Sequence, residues 1–119
     1  MQKYKRGIAF DGCVNILPTL TFEETVLLLG RALGITFTED QEGKYEEYPA
    51  YRAFALGLEI ALLAPPLPEH DTREVRDNVF QLIVTATSAL GEEGVCVDMN
   101  ALLESQIVSR TNLKLASHA

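Results

Sequence analysis

The spacing of apolar positions along the chain predicts one well-defined helix in its first third. Between residues 22 and 33 the apolar side chains recur every three or four residues, at Phe22, Val26, Leu29 and Leu33. Thr21 and Glu24 form a capping-box sequence, in which each side chain accepts a hydrogen bond from the other residue's backbone N–H. Gly34 then favours the left-handed conformation that ends a helix. We expect a helix over residues 22–33 whose apolar stripe faces the protein's own sheet.

Extended structure is predicted on both sides of this helix. The segment "YKRGIAFDGCVNIL" is rich in β-forming residues. It predicts a first strand or, because Asp11-Gly12 is a favourable tight-turn pair, a short hairpin. After the helix, "ITFT" predicts a short strand. Residues 49–56 fit either a short helix, with Pro49 in its first turn and Gly57 at its end, or a strand favoured by its aromatic residues.

Two later segments alternate in the manner of half-buried strands. In "LEIALLAPP" the apolar side chains of Leu58, Ile60 and Leu62 lie opposite Glu59, and the prolines that follow cannot donate to a sheet. In "VFQLIVTATS" one side of the strand carries Phe80, Leu82, Val84 and Ala86. We expect these two strands to pair as an antiparallel hairpin.

The C-terminal third predicts a turn, a helix and an edge strand. "GEEG" is typical of a turn, Asp98 can cap a helix over residues 99–110, and Asn112 can stop it. Met99, Leu102, Leu103 and Ile107 are predicted to share one face of that helix. "LKLA" predicts a closing edge strand. The whole pattern predicts an α+β fold in one domain, residues 1–119: a two-layer sandwich of two main helices, 22–33 and 99–110, on a mostly antiparallel sheet of about four or five strands.

Composition and charge narrow the possible partners. The formal net charge is −7, with only ten Lys and Arg residues, so direct binding to nucleic acid is not expected. An acidic surface instead attracts basic proteins. No signal peptide and no membrane-spanning segment is predicted. Cys13 and Cys96 are not spaced as a redox or zinc motif, and we expect both to be buried thiols in a reduced, cytoplasmic setting.

No residue pattern indicates catalysis, a metal site or a cofactor. His70 lies between Glu69 and Asp71 in a polar loop, and His118 is next to the last residue. A reactive cysteine needs a nearby cation or helix N-terminus, and only Cys96, shortly before Asp98, comes near that condition. The glycines form no phosphate-binding loop. We therefore expect a protein that is not an enzyme and that holds no cofactor.

The stretch "TEDQEGKYEEYPAYRAF" concentrates acids and tyrosines and suggests a surface for a basic partner. Its candidate residues are Glu39, Asp40, Glu42, Tyr45, Glu46, Glu47, Tyr48 and Tyr51. A second acidic patch is formed by Glu69, Asp71, Glu74 and Asp77. The alternative, a solvated acidic loop without a partner, stays open at this point.

The order of these segments resembles small immunity proteins of bacterial toxin systems. The resemblance covers residues 22 to 107, including "EYPAYRAFALGLEIALLAPP", "REVRDN", "FQLIVTATS" and "VDMNALLESQI". It implies a cytoplasmic protein without enzymatic activity that binds and neutralises a cognate toxin domain, often a nuclease. That implication agrees with the charge, since a nuclease presents Lys and Arg to phosphates and an acidic inhibitor can occupy the same surface.

Two other classes remain as alternatives. Acidic α+β chaperones of bacterial secretion systems are similar in size and charge, although such chaperones usually begin with a helix, whereas this chain is predicted to begin with extended structure. The third class is a small enzyme or ligand-binding domain.

Overall fold

The computed structural model describes residues 8–74, 76–87 and 95–116. Its regular elements, in chain order, are β1 Ile8–Ile16, α1 Phe22–Leu33, β2 Thr38–Glu39, β3 Ala50–Ala55, β4 Leu58–Leu63, a 3₁₀ turn Pro68–His70, β5 Phe80–Ala86, β6 Val95–Asp98 and α2 Asn100–Arg110. Within these ranges no helix is both long and apolar enough to cross a membrane.

The strands form a single mixed sheet in the order β2-β3-β4-β5-β1-β6. All neighbouring pairs are antiparallel except β1 and β6, which are parallel. Apolar residues of both helices pack into one cluster with β1, β4 and β5, so the helices cover one face of the sheet. The α+β prediction is confirmed, with six strands rather than four or five.

The core between helices and sheet follows the predicted alternation. Leu62 of β4 lies opposite Leu82 of β5, and both side chains are fully buried, as are Val14, Leu29 and Ile107. Because successive strand residues point to opposite faces, the intervening residues form a second, outer face without a helix. The predicted β4–β5 hairpin pairing is confirmed.

Helix α1 begins and ends as its sequence predicts. The backbone N–H of Thr21 donates to Oε1 of Glu24 at 3.0 Å, and the backbone N–H of Glu24 donates to Oγ1 of Thr21 at 3.1 Å. Gly34 closes the helix in the left-handed conformation, with φ 71°. Both ends of the helix therefore have partners for backbone groups that the helix itself leaves unpaired.

Replacing Thr21 with Ala should lower the free energy of unfolding by about 0.5 to 2 kcal/mol, because the N–H of Glu24 loses its acceptor. Urea unfolding followed by circular dichroism measures this difference. Thr21→Ser is the matched control, because it keeps the hydroxyl acceptor and should change the urea midpoint little. Equal midpoints for the Ala variant and the wild type would contradict a stabilising cap at Thr21.

The hairpin considered at Asp11-Gly12 is wrong: β1 runs straight through both residues. Gly12 serves close packing instead of a turn. A Cβ at this position would lie 3.0 Å from both Oδ1 of Asn100 and Cδ1 of Leu103. The same Oδ1 accepts a hydrogen bond from the backbone N–H of Cys13 at 2.8 Å. Glycine therefore lets α2 lie directly against β1.

Several other elements differ from the expectation. Residues 50–55 form a strand, which decides between the two alternatives for 49–56. The strand predicted at "ITFT" is displaced to Thr38–Glu39, and β6 was not predicted. The closing "LKLA" strand reduces to one bridge between Ile16 and Leu115. The predicted "GEEG" turn lies outside the described residues.

Helix α2 and the cysteines bring two further corrections. The helix begins one residue later than expected, so Met99 and not Asp98 is its N-cap residue; Asp98, one residue earlier, still accepts a hydrogen bond from the N–H of Asn100 at 2.8 Å. Leu102 is 54% exposed, whereas Leu103 and Ile107 are buried, so Leu102 lies outside the narrow stripe of α2 that faces the sheet. Cys13 is exposed rather than buried, because its neighbour Val14 takes the core side of β1. The side chain of Cys96 is not described.

Candidate functional site

Residues 40–49, here called the acidic strap, lie over the outer face of the sheet. Tyr45 and Tyr48 of the strap pack against a small apolar cluster on that face, formed by Ala50, Ala61 and Leu63. This cluster is separate from the main core on the helical side. The strap is therefore a packed layer with its own apolar contacts.

Two local turns set the direction of the strap's side chains. The N–H of Glu46 donates to the carbonyl of Gly43 at 3.1 Å, and the N–H of Tyr48 donates to the carbonyl of Tyr45 at 3.0 Å. Gly43 and Glu46 both have positive φ, 69° and 57°. Tyr45 and Tyr48 are half-buried, whereas Glu46 and Glu47 are exposed. Apolar contacts thus hold the strap while two carboxylates are left in solvent.

A buried carboxylate fastens the strap to the sheet. Glu59 of β4 points to the outer face and is only 4% exposed. Its carboxylate accepts hydrogen bonds from Nζ of Lys44 at 2.6 Å, from the Tyr45 hydroxyl at 2.7 Å and from Nε of Arg52 at 3.1 Å. Burial alone would raise the pKa of Glu59, but these three donors outweigh burial and hold the pKa below its usual value. Glu59 is therefore ionised and fully partnered.

Arg52 extends this network to the acids of the strap. Its Nη1 lies 2.9 Å from Oε1 of Glu42 and 3.4 Å from Oδ1 of Asp40. The hydrogen bonds to Glu42 and Glu59 raise the pKa of the Arg52 guanidinium. Burial and the bond to Glu59 also raise the pKa of the Tyr45 hydroxyl. The network thus joins strap and sheet through charged groups whose ionisation is stabilised by their neighbours.

The candidate residues of this segment consequently fall into two sets. Asp40, whose side chain is only 3% exposed, and Tyr45 are engaged inside the protein. Tyr51 lies on the helical side, where its ring packs edge-on against Phe22 at 5.6 Å between centroids. The exposed carboxylates that remain available to a partner are those of Glu39, Glu46 and Glu47, whereas the exposed carboxylate of Glu42 is paired with Arg52.

An acidic cavity lies beside the strap, between it and the start of α1. Its volume is about 300 Å³. The acidic residues that line it are Glu23, Glu39, Asp40, Glu46 and Glu47, and the aromatic ones are Phe22, Tyr48 and Tyr51. Glu23 was not among the predicted site residues, because an acid in the first helical turn is already explained by the helix dipole. Only the fold brings it opposite the strap.

The cavity carries negative charge that the cations of the described residues do not fully neutralise. Asp40 lies near Arg52, but among the described residues no cation forms an ion pair with the carboxylates of Glu23, Glu39, Glu46 or Glu47. Carboxylates held close together without a counter-charge repel one another, and a cation from outside relieves that repulsion. The arrangement suits a Lys or Arg side chain, whose apolar stem can lie on the aromatic rings.

The second predicted acidic patch is divided in the same way. Arg73 binds Asp71 through two parallel contacts of 2.9 Å and reaches Asp77 at 3.3 Å. The bonds to Arg73 lower the pKa of Asp71 to about 2. Glu69 and Glu74 are exposed. Asp71 and Asp77 therefore stabilise their own loop through Arg73, whereas Glu69 and Glu74 face solvent.

The candidate catalytic groups that the structure describes are not assembled into a site. His70 is exposed on the short 3₁₀ turn, and His118 lies outside the described residues. In the parts of the chain that the structure describes, no group of three His, Cys, Asp or Glu side chains could hold a metal ion.

Comparison with known proteins adds no relative from which a function could be transferred. No protein-family model, no curated protein and no solved structure matches the chain. The acidic cavity and the strap beside it are accordingly the features on which a functional argument rests.

Proposed function

We propose that this protein is an immunity protein of a bacterial toxin system, which binds a basic toxin domain of the nuclease type in the cytoplasm and thereby neutralises it. The observation that supports this proposal most directly is the acidic cavity, where four carboxylates have no ion-pair partner in the part of the chain that the structure describes. A nuclease concentrates Lys and Arg where it holds phosphates. Those side chains are the ligands that such a cavity accepts.

The anchoring of the strap also supports a binding role. A surface that is already ordered loses little conformational entropy when a partner binds. Here Glu59 fixes Lys44, Tyr45 and Arg52 from the sheet side, while Glu46 and Glu47 stay in solvent. The carboxylates are presented on a preorganised backbone, as tight inhibition requires.

The overall charge acts over a longer range than these contacts. With a formal charge of −7, the protein attracts a basic domain before contact and raises the rate of productive encounter. Salt should weaken this attraction, because the Debye length falls to about 8 Å at physiological ionic strength.

The direct test takes as the candidate toxin the C-terminal domain of whatever protein the gene immediately upstream encodes. Co-expression with the present protein should restore growth to cells that produce that domain. The purified pair should bind with an association rate that falls as salt increases. A domain that kills equally well with and without the protein, and that shows no binding, would refute the proposed function.

A further inference from the structure

The hairpin between β3 and β4 has an unusual residue at its tip. Ala55 pairs with Leu58, so the loop has only two residues, Leu56 and Gly57. Both have positive φ, 54° and 76°. Turns of this kind favour Asn-Gly or Asp-Gly, because a bulky side chain clashes with the backbone in the left-handed region. Leu56 is therefore held in a strained conformation.

The surrounding structure keeps the turn in place. Both the backbone N–H and the hydroxyl of Thr87 donate to the carbonyl of Gly57, each at 3.0 Å. Strained backbone persists where the surroundings determine it, and such positions concentrate at functional sites.

The Leu56 side chain contributes nothing to the interior that would offset this strain. It is 98% exposed. Phe54, two residues earlier, is also exposed, and the guanidinium carbon of Arg52 lies 5.0 Å from the centre of its ring. The tip thus projects an aliphatic side chain beside an aromatic ring. A leucine that is both strained and almost fully exposed is explained by a contact outside the chain.

Charge indicates the kind of partner. Arg52 beside Phe54 is paired with Glu59 and with Glu42, whose side chain is 80% exposed. Anionic membranes would repel a protein of formal charge −7, and so would a second copy of the chain. A basic protein is attracted. It can receive the tip in an apolar depression bordered by cations.

We propose that Leu56, with Phe54 beside it, is the apolar anchor of the interface with the basic toxin domain. This inference rests on the proposed function and adds a second contact region to it. The beginning of β3 lines the acidic cavity, and the hairpin tip lies at the other end of the same strand. A basic partner that spans β3 is attracted by the carboxylates before it contacts the apolar tip. The charges therefore govern the association rate, and the tip governs the dissociation rate.

The test is Leu56→Asn, measured for both stability and binding. Asparagine tolerates the left-handed conformation, so the midpoint of thermal unfolding should rise by about 3 to 6 °C. Binding to the upstream-encoded toxin domain should weaken about 10- to 30-fold through faster dissociation, because a central apolar anchor is lost. The matched control is Leu102→Gln, which removes an exposed leucine from α2 and should leave affinity unchanged.

The outcomes separate this inference from the proposed function. Unchanged affinity in Leu56→Asn, with wild-type binding intact, would overturn the anchor alone. Absence of wild-type binding would overturn both. A thermal midpoint that does not rise would refute the strain at Leu56. If the wild type bound phosphatidylcholine vesicles and Leu56→Asn did not, the tip would be a membrane contact. If sedimentation showed a concentration-dependent dimer that Leu56→Asn lost, the tip would be a self-association contact. Either result would also overturn the proposal.

Discussion

Reversing the charges of Glu46 and Glu47 to lysine is expected to slow association with the toxin domain about 100-fold at low salt. These two carboxylates line the acidic cavity and have no cation partner among the described residues. The substitution replaces attraction by repulsion at the place where the partner's cation enters. The dependence of the association rate on salt should flatten in the same variant, because less charge remains to be screened.

The pair Glu69→Lys and Glu74→Lys provides a matched control. It changes the formal charge by the same amount at another exposed site, and it also tests the second predicted acidic patch. Rates measured by surface-immobilised binding at several salt concentrations, with circular dichroism to verify folding, compare the two variants. Equal slowing in both would show that the cavity contributes no more to association than the exposed carboxylates of the second patch do. No slowing in the Glu46 and Glu47 variant would exclude the cavity as the docking site.

Changing Glu59 to Gln is expected to lower the free energy of unfolding by about 3 kcal/mol, because the charged acceptor that holds three donors is buried, only 4% exposed, and becomes a neutral amide. Lys44, Tyr45 and Arg52 all donate to this one carboxylate. An amide keeps the size of the side chain but offers one acceptor oxygen and turns an NH₂ group toward these donors. We expect the acidic strap to detach first, while the helical side of the sheet keeps its packing.

Hydrogen exchange followed by mass spectrometry distinguishes this local effect from general destabilisation. Peptides covering residues 40–49 should lose protection in Glu59→Gln, whereas peptides from β5 should lose much less. Glu42→Gln is the control, because it removes the other close carboxylate partner of Arg52 at a position where the side chain is 80% exposed. It should cost less than about 1 kcal/mol. Equal costs for the two variants would contradict a structural role for the buried network.

The parts of the fold that the sequence predicts are those controlled by local pattern. Helix α1 carries its cap, stripe and terminator within about fourteen residues, and β4 and β5 alternate clearly. Strand β6 is short, and it forms through parallel pairing with a strand more than eighty positions earlier. Nothing local specifies such a partner. The hairpin turn considered at Gly12 is wrong for the same reason, because the helix α2 that packs against this glycine lies far away in sequence.

The candidate site was predictable in composition but not in orientation. The acidic tyrosine-rich segment was recognisable, yet its pattern does not distinguish a carboxylate in solvent from one paired with Arg52. Glu59 appeared as the polar side of a half-buried strand. It is buried because the strap covers that face, which strand periodicity does not encode. The place of Glu23 in the cavity lining and the strain at Leu56 likewise become visible only in the tertiary structure.

The contacts of the acidic strap have a consequence for the order in which a newly synthesised chain folds. Apart from those to Ile83, which packs against the same apolar cluster, and to Arg73, which lines a cavity together with Tyr48, they join residues 40 to 63, a short continuous stretch. Strand β1, by contrast, pairs with residues 80–84 and 95–98. Local contacts close quickly, whereas distant ones wait for the rest of the chain to emerge from the ribosome. The β3–β4 hairpin and its strap are therefore able to form first, and β1 takes its place in the sheet only after residues 80–98 have been synthesised.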